Sequence, residues 1–151
     1  VYKRQQQTLS GVIQYNSGKV IQLAEAVPED KYDWRPAEGI RSFGEVVLHL
    51  AGANYFFGSM AADTQGMKDR SNVSGKANII AALKESYDFV GKSVTSIPDD
   101  KLGDELKFPD GTPMTRQAIM MIAFGHCEEH MGQMIAYARS NGIVPPWSQG
   151  N

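Results

Sequence analysis

The last long segment of the chain decides the fold: residues 115–142 read TRQAIMMIAFGHCEEHMGQMIAYARSNG. Thr115 is a favoured N-cap residue, and Gly142 stands where a left-handed C-terminal cap is preferred, with two prolines shortly beyond it. Between these signals, apolar side chains recur at helical spacing. The pattern predicts one long helix from Arg116 to about Asn141.

Three more segments of helical period precede this one, and the sequence has no repeat of the length typical of solenoid proteins. They cover roughly residues 5–27, 43–62 and 76–96, and a proline follows the first and the third. The second begins after Ser42, which forms with Glu45 the sequence signature of a capping box. Four amphipathic segments joined by connectors of different length predict an all-α fold, a four-helix bundle.

One connector carries a turn signature. Residues 102–114 read LGDELKFPDGTPM, and because Pro-Asp-Gly favours a tight turn, we expect a short hairpin or an irregular crossover between helices three and four. The chain of 151 residues is 42% hydrophobic and 21% charged, an ordinary globular mix. Length and composition together predict a single helical-bundle domain over residues 1–151 with one core.

Charge and hydropathy exclude two classes of partner. The formal net charge is −2 and no basic run is present, so we expect no nucleic acid partner. No stretch of about 20 apolar residues occurs, so we expect no membrane partner either. The lone Cys127 excludes a disulfide within the chain. The sequence favours the cytoplasm, but because it starts at Val1 we expect a processed or trimmed chain, which is also compatible with a removed export signal.

The candidate chemistry lies in the three histidines of the chain, His49, His126 and His130. The last two are four residues apart, which places their Cβ atoms about 5–6 Å from each other on one helix face. That face continues the apolar stripe of helix four, and His49 lies in the apolar part of helix two, so all three are expected to point into the bundle. Three neutral imidazoles meeting there could bind a divalent metal and leave a position for water or substrate.

Other interpretations of these residues stay open. Each histidine could be a core residue that donates to a backbone carbonyl. The string HCEEH at residues 126–130 also fits the H-x-x-E-H pattern of inverted zinc proteases, with Glu129 as general base. The helical wheel disfavours that site, because Glu129 points about 80° away from the bisector of the two histidines. Cys127, on the opposite flank, is expected to be a buried inert thiol rather than a fourth ligand.

A family resemblance covers essentially the whole chain. It is carried by WRP at residues 34–36, VVLHLAGANYFF at residues 46–57, and HCEEHMGQMIAYARSNGIVPP at residues 126–146. These segments resemble the DinB-like family of four-helix-bundle metalloproteins, whose most specific signature is a histidine in helix two plus H-x-x-x-H followed by Gly-Gln. The resemblance implies that the metal ligands are His49, His126 and His130 and that the metal is nickel, zinc or iron.

The resemblance also implies an activity. The better understood relatives are thiol-dependent transferases and isomerases, in which the metal binds a low-molecular-weight thiol cosubstrate and lowers its pKa. A related option is hydrolysis of an ester, amide or halide by a water that the metal activates. We therefore expect a metal-dependent thiol S-transferase or hydrolase with a small-molecule substrate and unassigned catalytic residues. The alternative is a non-catalytic helical bundle that binds a small ligand or a partner. Relatives are commonly homodimers, so the resemblance implies a homodimer.

Several residues near the histidines have two interpretations each. Glu45, one turn before His49, could orient that imidazole, but the capping box already accounts for it. Gln133 could hydrogen-bond a water or substrate, or satisfy a buried neighbour. Gly52 and Ala53 could leave a cavity beside the metal, or allow close helix packing.

Two further groups are expected to contribute less. Arg35 could reach an anionic group, although stacking beside Trp34 at the surface is the more ordinary role of such an arginine. The three consecutive aromatic residues Tyr55, Phe56 and Phe57 could line an entry path, although core packing explains them equally well.

Overall fold

Four long helices dominate the computed structural model, which describes residues 5–66 and 68–150. The helices are α1 (Gln5–Ala26), α2 (Phe43–Ala62), α3 (Lys76–Ser96) and α4 (Arg116–Ser140). Single turns of 3-10 helix lie at Glu29–Lys31, Asp99–Lys101 and Pro146–Ser148. The all-α four-helix bundle expected from the helical periods is confirmed.

Local capping explains where the two helices that carry the histidines begin. Ser42 and Glu45 form the predicted capping box of α2: Glu45 N–H donates to Ser42 Oγ at 3.3 Å, and Ser42 N–H donates to Glu45 Oε2 at 2.6 Å. Thr115 Oγ1 accepts from Ala118 N–H at 3.1 Å at the start of α4. After α4, Gly142 takes the left-handed conformation with φ of +74°, which favours glycine.

The helices are arranged in an order that the sequence does not reveal. Both α1 and α2 pack against α3 and α4, so α1 lies diagonally opposite α2, and α3 lies diagonally opposite α4. The connectors 27–42 and 97–115 join these diagonal pairs, whereas residues 63–75 join the neighbours α2 and α3. Arg116, at the start of α4, donates to the carbonyl of Ala61 near the end of α2 at 2.6 Å, so these two helices run antiparallel.

One hydrophobic core fills the space between the four helices. Its largest fully buried side chains come from every helix and from the residues beside them: Val20, Leu23, Val27, Phe43, Val46, Val47, Leu50, Leu83, Val94, Ile119, Met120 and Met134. Burial of this apolar surface holds α2 against α4 and fixes the relative position of any side chains carried by both.

A short hairpin links α3 to α4. Strands β1 (Glu105–Lys107) and β2 (Pro113–Thr115) pair antiparallel, with Leu106 opposite Met114. The Pro-Asp-Gly signature forms the turn, where Gly111 has φ of +85° and its N–H donates to Phe108 O at 2.8 Å. The sequence left a hairpin and an irregular crossover as alternatives, and the hairpin is present. Among the described residues, none of the helices is both long enough and apolar enough to cross a bilayer.

Candidate metal centre

The packing of α2 on α4 brings the three histidines together. His49 lies in the second turn of α2, and His126 and His130 lie one turn apart in α4. The Nε2 atom of His126 is 3.0 Å from Nε2 of His49 and 3.1 Å from Nε2 of His130. All three ligand atoms lie within 4.8 Å of one another. The convergence that the spacing predicted is therefore present.

The cluster is partly open to solvent. His130 is buried, with 8% of its surface exposed, whereas His49 and His126 are half-buried. The ring of the buried Phe57 packs against His126, with 5.7 Å between ring centroids. A small molecule could therefore approach the ring nitrogens from the side of His49 and His126.

Burial favours the neutral form of two of these imidazoles, those of His49 and His126. Loss of hydration on burial lowers the pKa of His49 from 6.5 to about 4, and the nearby charge of Arg41 and the other two histidines add to the shift. Burial, followed by the proximity of His130, also lowers the pKa of His126. A neutral imidazole offers a lone pair, which is the form that binds a metal.

A chain of hydrogen bonds fixes which nitrogen of His130 carries the proton. Tyr137 Oη donates to the carbonyl of Arg41 at 3.2 Å, so it accepts from Gln133 Nε2, which is 2.9 Å away. The other end of that amide, Oε1, lies 2.7 Å from His130 Nδ1. Because Oε1 can only accept, Nδ1 carries a hydrogen, and in a neutral ring Nε2 then presents its lone pair to the cluster.

This proton assignment leaves the cluster suited to a cation. A neutral His130 with its hydrogen on Nδ1 has none on Nε2, and a single N–H on His126 can point at only one of its two neighbours. At most one of the two short contacts is then a linear hydrogen bond. Nitrogen ligands of a tetrahedral zinc, at about 2.0–2.1 Å from the metal, are themselves about 3.3 Å apart. The donor set and its two short contacts fit a divalent metal better than three core histidines bonded to main-chain carbonyls.

The other candidate ligands lie elsewhere. Among the described residues, the three histidines are the group of His, Cys, Asp and Glu side chains close enough to share an ion. Glu129 is exposed on the flank of α4, as the helical wheel indicated. Cys127 is buried on the opposite flank, where its Sγ lies 3.1 Å from Tyr87 Oη of α3, and burial raises the pKa of its thiol.

The structure also decides between the interpretations of Glu45 and Arg35. Glu45 is engaged in the capping box and in an ion pair with Arg35 at 3.2 Å, so it does not orient His49. Nη1 of the same guanidinium donates to the carbonyl of Ile40 at 2.9 Å. Arg35 thus stabilises the connector ahead of α2.

Sequence reasoning missed part of this site. Gln133 was expected to satisfy either a ligand or a buried neighbour, and it proves to hold His130. The roles of Tyr137 and of the Arg41 carbonyl were not anticipated, nor was the packing of the Trp34 ring on Tyr137 at 5.3 Å between centroids. The available signal was the spacing of His130, Gln133 and Tyr137, which are three and four residues apart and so share one helix face.

Gly52 and the three consecutive aromatic residues of α2 contact different parts of the structure. Gly52 lies beneath the guanidinium of Arg70 in the connector that follows α2. Phe57 belongs to the core, whereas the half-buried Phe56 packs on Phe108 of the hairpin, with 6.0 Å between ring centroids. Tyr55 is buried against Phe89 of α3 at 5.0 Å between centroids.

Known proteins share this fold. The uncharacterized protein YjoA of Bacillus subtilis (strain 168) is 23% identical over 126 residues, which is 80% of this chain and 80% of that protein. The crystal structure of YjoA, described as DinB-like, superposes with a TM-score of 0.78 at 19% identity, over 91% of this chain and 94% of YjoA. A DinB-like protein of Bacillus cereus ATCC 10987 gives a TM-score of 0.77 at 20% identity, over 88% of this chain and 90% of that one.

A further structural neighbour has a described activity. YfiT of Bacillus subtilis superposes with a TM-score of 0.72 at 16% identity, over 95% of this chain and 91% of YfiT, and is described as "a probable metal-dependent hydrolase with an unusual four-helix bundle topology". In sequence, a profile of the DinB superfamily matches residues 16–134, a region that contains all three histidines. The chain therefore belongs to the DinB superfamily.

Proposed function

We propose that the protein is a divalent-metal-dependent enzyme whose metal is held by His49, His126 and His130. The observation that carries the proposal is the meeting of three Nε2 atoms, with contacts of 3.0 and 3.1 Å, at a place that solvent can reach. Structural sites usually have four protein ligands, whereas catalytic sites have three and keep a position for substrate or water.

Two reaction classes fit this donor set. Hydrolysis is supported by the description of the structural neighbour YfiT as a probable metal-dependent hydrolase. Transfer of a low-molecular-weight thiol to an electrophile is supported by the resemblance of the sequence to thiol-dependent relatives. In either class the bound metal would lower the pKa of a water or thiol and polarise the electrophile. The family resemblance implies nickel, zinc or iron as the metal, and elemental analysis would identify which one is bound.

The protein's own residues would prepare the site for this chemistry. Burial keeps the imidazoles of His49 and His126 unprotonated, so they are ready to bind a cation. Gln133 holds His130 in the tautomer whose Nε2 faces the cluster, and Tyr137 anchors that amide to the main chain. Tyr137 is bonded to the main-chain carbonyl of Arg41 and Gln133 is bonded to Tyr137, so the His130 ring cannot turn away without breaking its hydrogen bond to this anchored amide.

A comparison of variants would test the enzymatic role. The metal-loaded wild type, His126→Ala and Glu129→Gln would be assayed with chromogenic esters, and with an aryl halide together with several small thiols. We expect turnover by the wild type and by Glu129→Gln, and loss of turnover in His126→Ala. Equal rates in the wild type and His126→Ala would contradict the enzymatic role and favour the non-catalytic binding protein.

A homodimer forms part of the same proposal and is supported by the family resemblance. Light scattering would measure the mass of the protein in solution. We expect a mass of twice 16.6 kDa, and a monomer at micromolar concentration would contradict the proposed homodimer.

A further inference from the structure

Helix α2 carries a half-buried apolar stripe that begins beside His49. Ala53, Phe56 and Met60 follow this histidine by four, seven and eleven residues, so the four side chains lie within about 60° on the helical wheel. All four are half-buried, and the three apolar ones pack on the core. No charged residue of α2 follows Glu45. The stripe therefore leads from the histidine cluster along an uncharged, partly exposed face of the helix.

Aromatic rings connect this stripe to the imidazoles. The ring of Phe57 packs on His126 with 5.7 Å between centroids, and the ring of Phe56 packs on Phe57 at 5.1 Å. Phe56 also meets Phe108 of the hairpin at 6.0 Å, with 83° between the ring planes. Phe57 is buried, whereas Phe56 and Phe108 are half-buried. The two half-buried rings thus form an apolar surface that is joined to the histidine cluster by direct contacts.

The residue between His49 and Phe56 on this face is small. Phe56 lies two turns after His49, about 10 Å along the helix axis. Side chains of a helix tilt toward its N-terminus, so the ring of Phe56 leans back toward the histidine. Ala53, one turn after His49, contributes only a methyl group. An apolar group attached by a few bonds to an atom at the cluster would therefore lie over Ala53 and against Phe56.

We infer that Phe56, backed by Phe108, is a specificity-determining residue that binds an aromatic or other apolar group of a small-molecule substrate whose reacting atom lies at the three histidines. The inference rests on the proposed function, because it takes the cluster as the reacting centre. A stable protein interface buries roughly 20–30 residues on each side. The stripe has only three apolar side chains, which match the apolar part of a small molecule better than a protein surface.

Two ligands with the same metal-binding group would test the inference by binding rather than by turnover. Co²⁺-loaded protein would be titrated with acetohydroxamate and with 3-phenylpropanohydroxamate, and the visible absorption of the cobalt would report each Kd. We expect the wild type to prefer the phenyl compound by about tenfold or more, the factor for burial of a side chain of that size. Phe56→Ala should reduce the preference to about threefold or less.

Matched variants separate a ligand contact from a structural role. Phe89→Ala makes the same substitution at a half-buried ring of α3, which packs on Tyr55, and should keep the preference. Ala53→Leu should remove the preference by filling the space beside Phe56, while the affinity for acetohydroxamate stays unchanged. Leucine is a good helix former, so the thermal midpoint of this variant should hold. Should Phe56→Ala fail to fold, the wild type and Ala53→Leu decide the question in the same titration.

The possible results distinguish the inference from the proposed function. Equal affinity of the wild type for the two hydroxamates, or an undiminished preference in Phe56→Ala, would overturn the inference, while hydroxamate binding itself supports the proposed function. An equal loss of preference in Phe89→Ala would also overturn it. A lower mass of Phe56→Ala in light scattering, with the preference unchanged, would instead identify the stripe as a contact between two copies of the chain. Failure of Co²⁺ to bind would overturn both.

Discussion

Two consecutive residues of α4, His126 and Cys127, belong to two different polar clusters, one partly exposed and one buried. His126 meets two other imidazoles in a partly exposed cluster between α2 and α4, where its short nitrogen contacts cannot all be hydrogen bonds. Cys127, next in sequence, points into the bundle toward Tyr87 Oη at 3.1 Å. Nearby, Asn54 Nδ2 donates to Ser86 Oγ at 3.0 Å, and Ser86 in turn donates to the carbonyl of Leu83.

The difference between the two clusters lies in how fully they are satisfied. Polar groups that find partners inside the fold contribute to its stability. Imidazole nitrogens whose lone pairs point at one another with no hydrogen between them remain available to a ligand. We therefore expect changes in the histidine cluster to alter metal binding, and changes in the buried cluster of Tyr87 and Cys127 to alter the free energy of unfolding.

The largest expected effect follows from removing a ligand. His126→Ala leaves only two imidazoles, so metal affinity should fall by more than the roughly 100-fold loss that outer-sphere substitutions reach. Competition with a chromophoric chelator would measure it. Cys127→Ala, one residue away, serves as the control and should keep wild-type affinity. A similar loss in both variants would erase the distinction between the clusters.

Gln133→Leu tests the support of the histidine cluster. Without the amide, His130 loses the acceptor that fixes its tautomer, so metal affinity should fall by about 10–100-fold. Tyr137→Phe removes only the anchor of that amide and should cost less. The same chelator competition applies. Unchanged affinity in Gln133→Leu would show that the ring needs no such support.

The buried cluster should respond in stability alone. Tyr87→Phe removes the hydroxyl beside Cys127, so the free energy of unfolding of the metal-free protein should fall by about 1 kcal/mol. Denaturant titration would measure this change, and metal affinity should stay at the wild-type value. A change in metal affinity as large as that of Gln133→Leu would mean that the two clusters are coupled.

The smallest expected effect is a dependence of apoprotein stability on pH. The pKa of His49 is lowered from 6.5 to about 4. Between about pH 4 and pH 6.5, the unfolded chain therefore binds a proton at His49 that the folded chain does not bind. Stability should therefore fall as the pH drops from about 6.5 to 4. His49→Gln should flatten this part of the pH profile. An unfolding free energy that rises on acidification over the same range would contradict the lowered pKa.

The sequence predicted those features that depend on the spacing of residues within one helix. Helical periods gave the four helices, Ser42 with Glu45 gave the start of α2, and the four-residue spacing gave the pairing of His126 with His130. The diagonal arrangement of the helices could not be predicted, because each amphipathic face fits more than one neighbour. Contacts between distant segments, such as the one between Gly52 and Arg70, depend on that arrangement and leave no periodic signal.

The metal content of protein purified without an affinity tag or added metal tests the central claim most directly. Three imidazoles that meet with their lone pairs together should retain about one divalent ion per chain, and the ion should be lost from His126→Ala. Less than about 0.2 ion per chain, with no uptake when metal is titrated into the protein, would contradict the account.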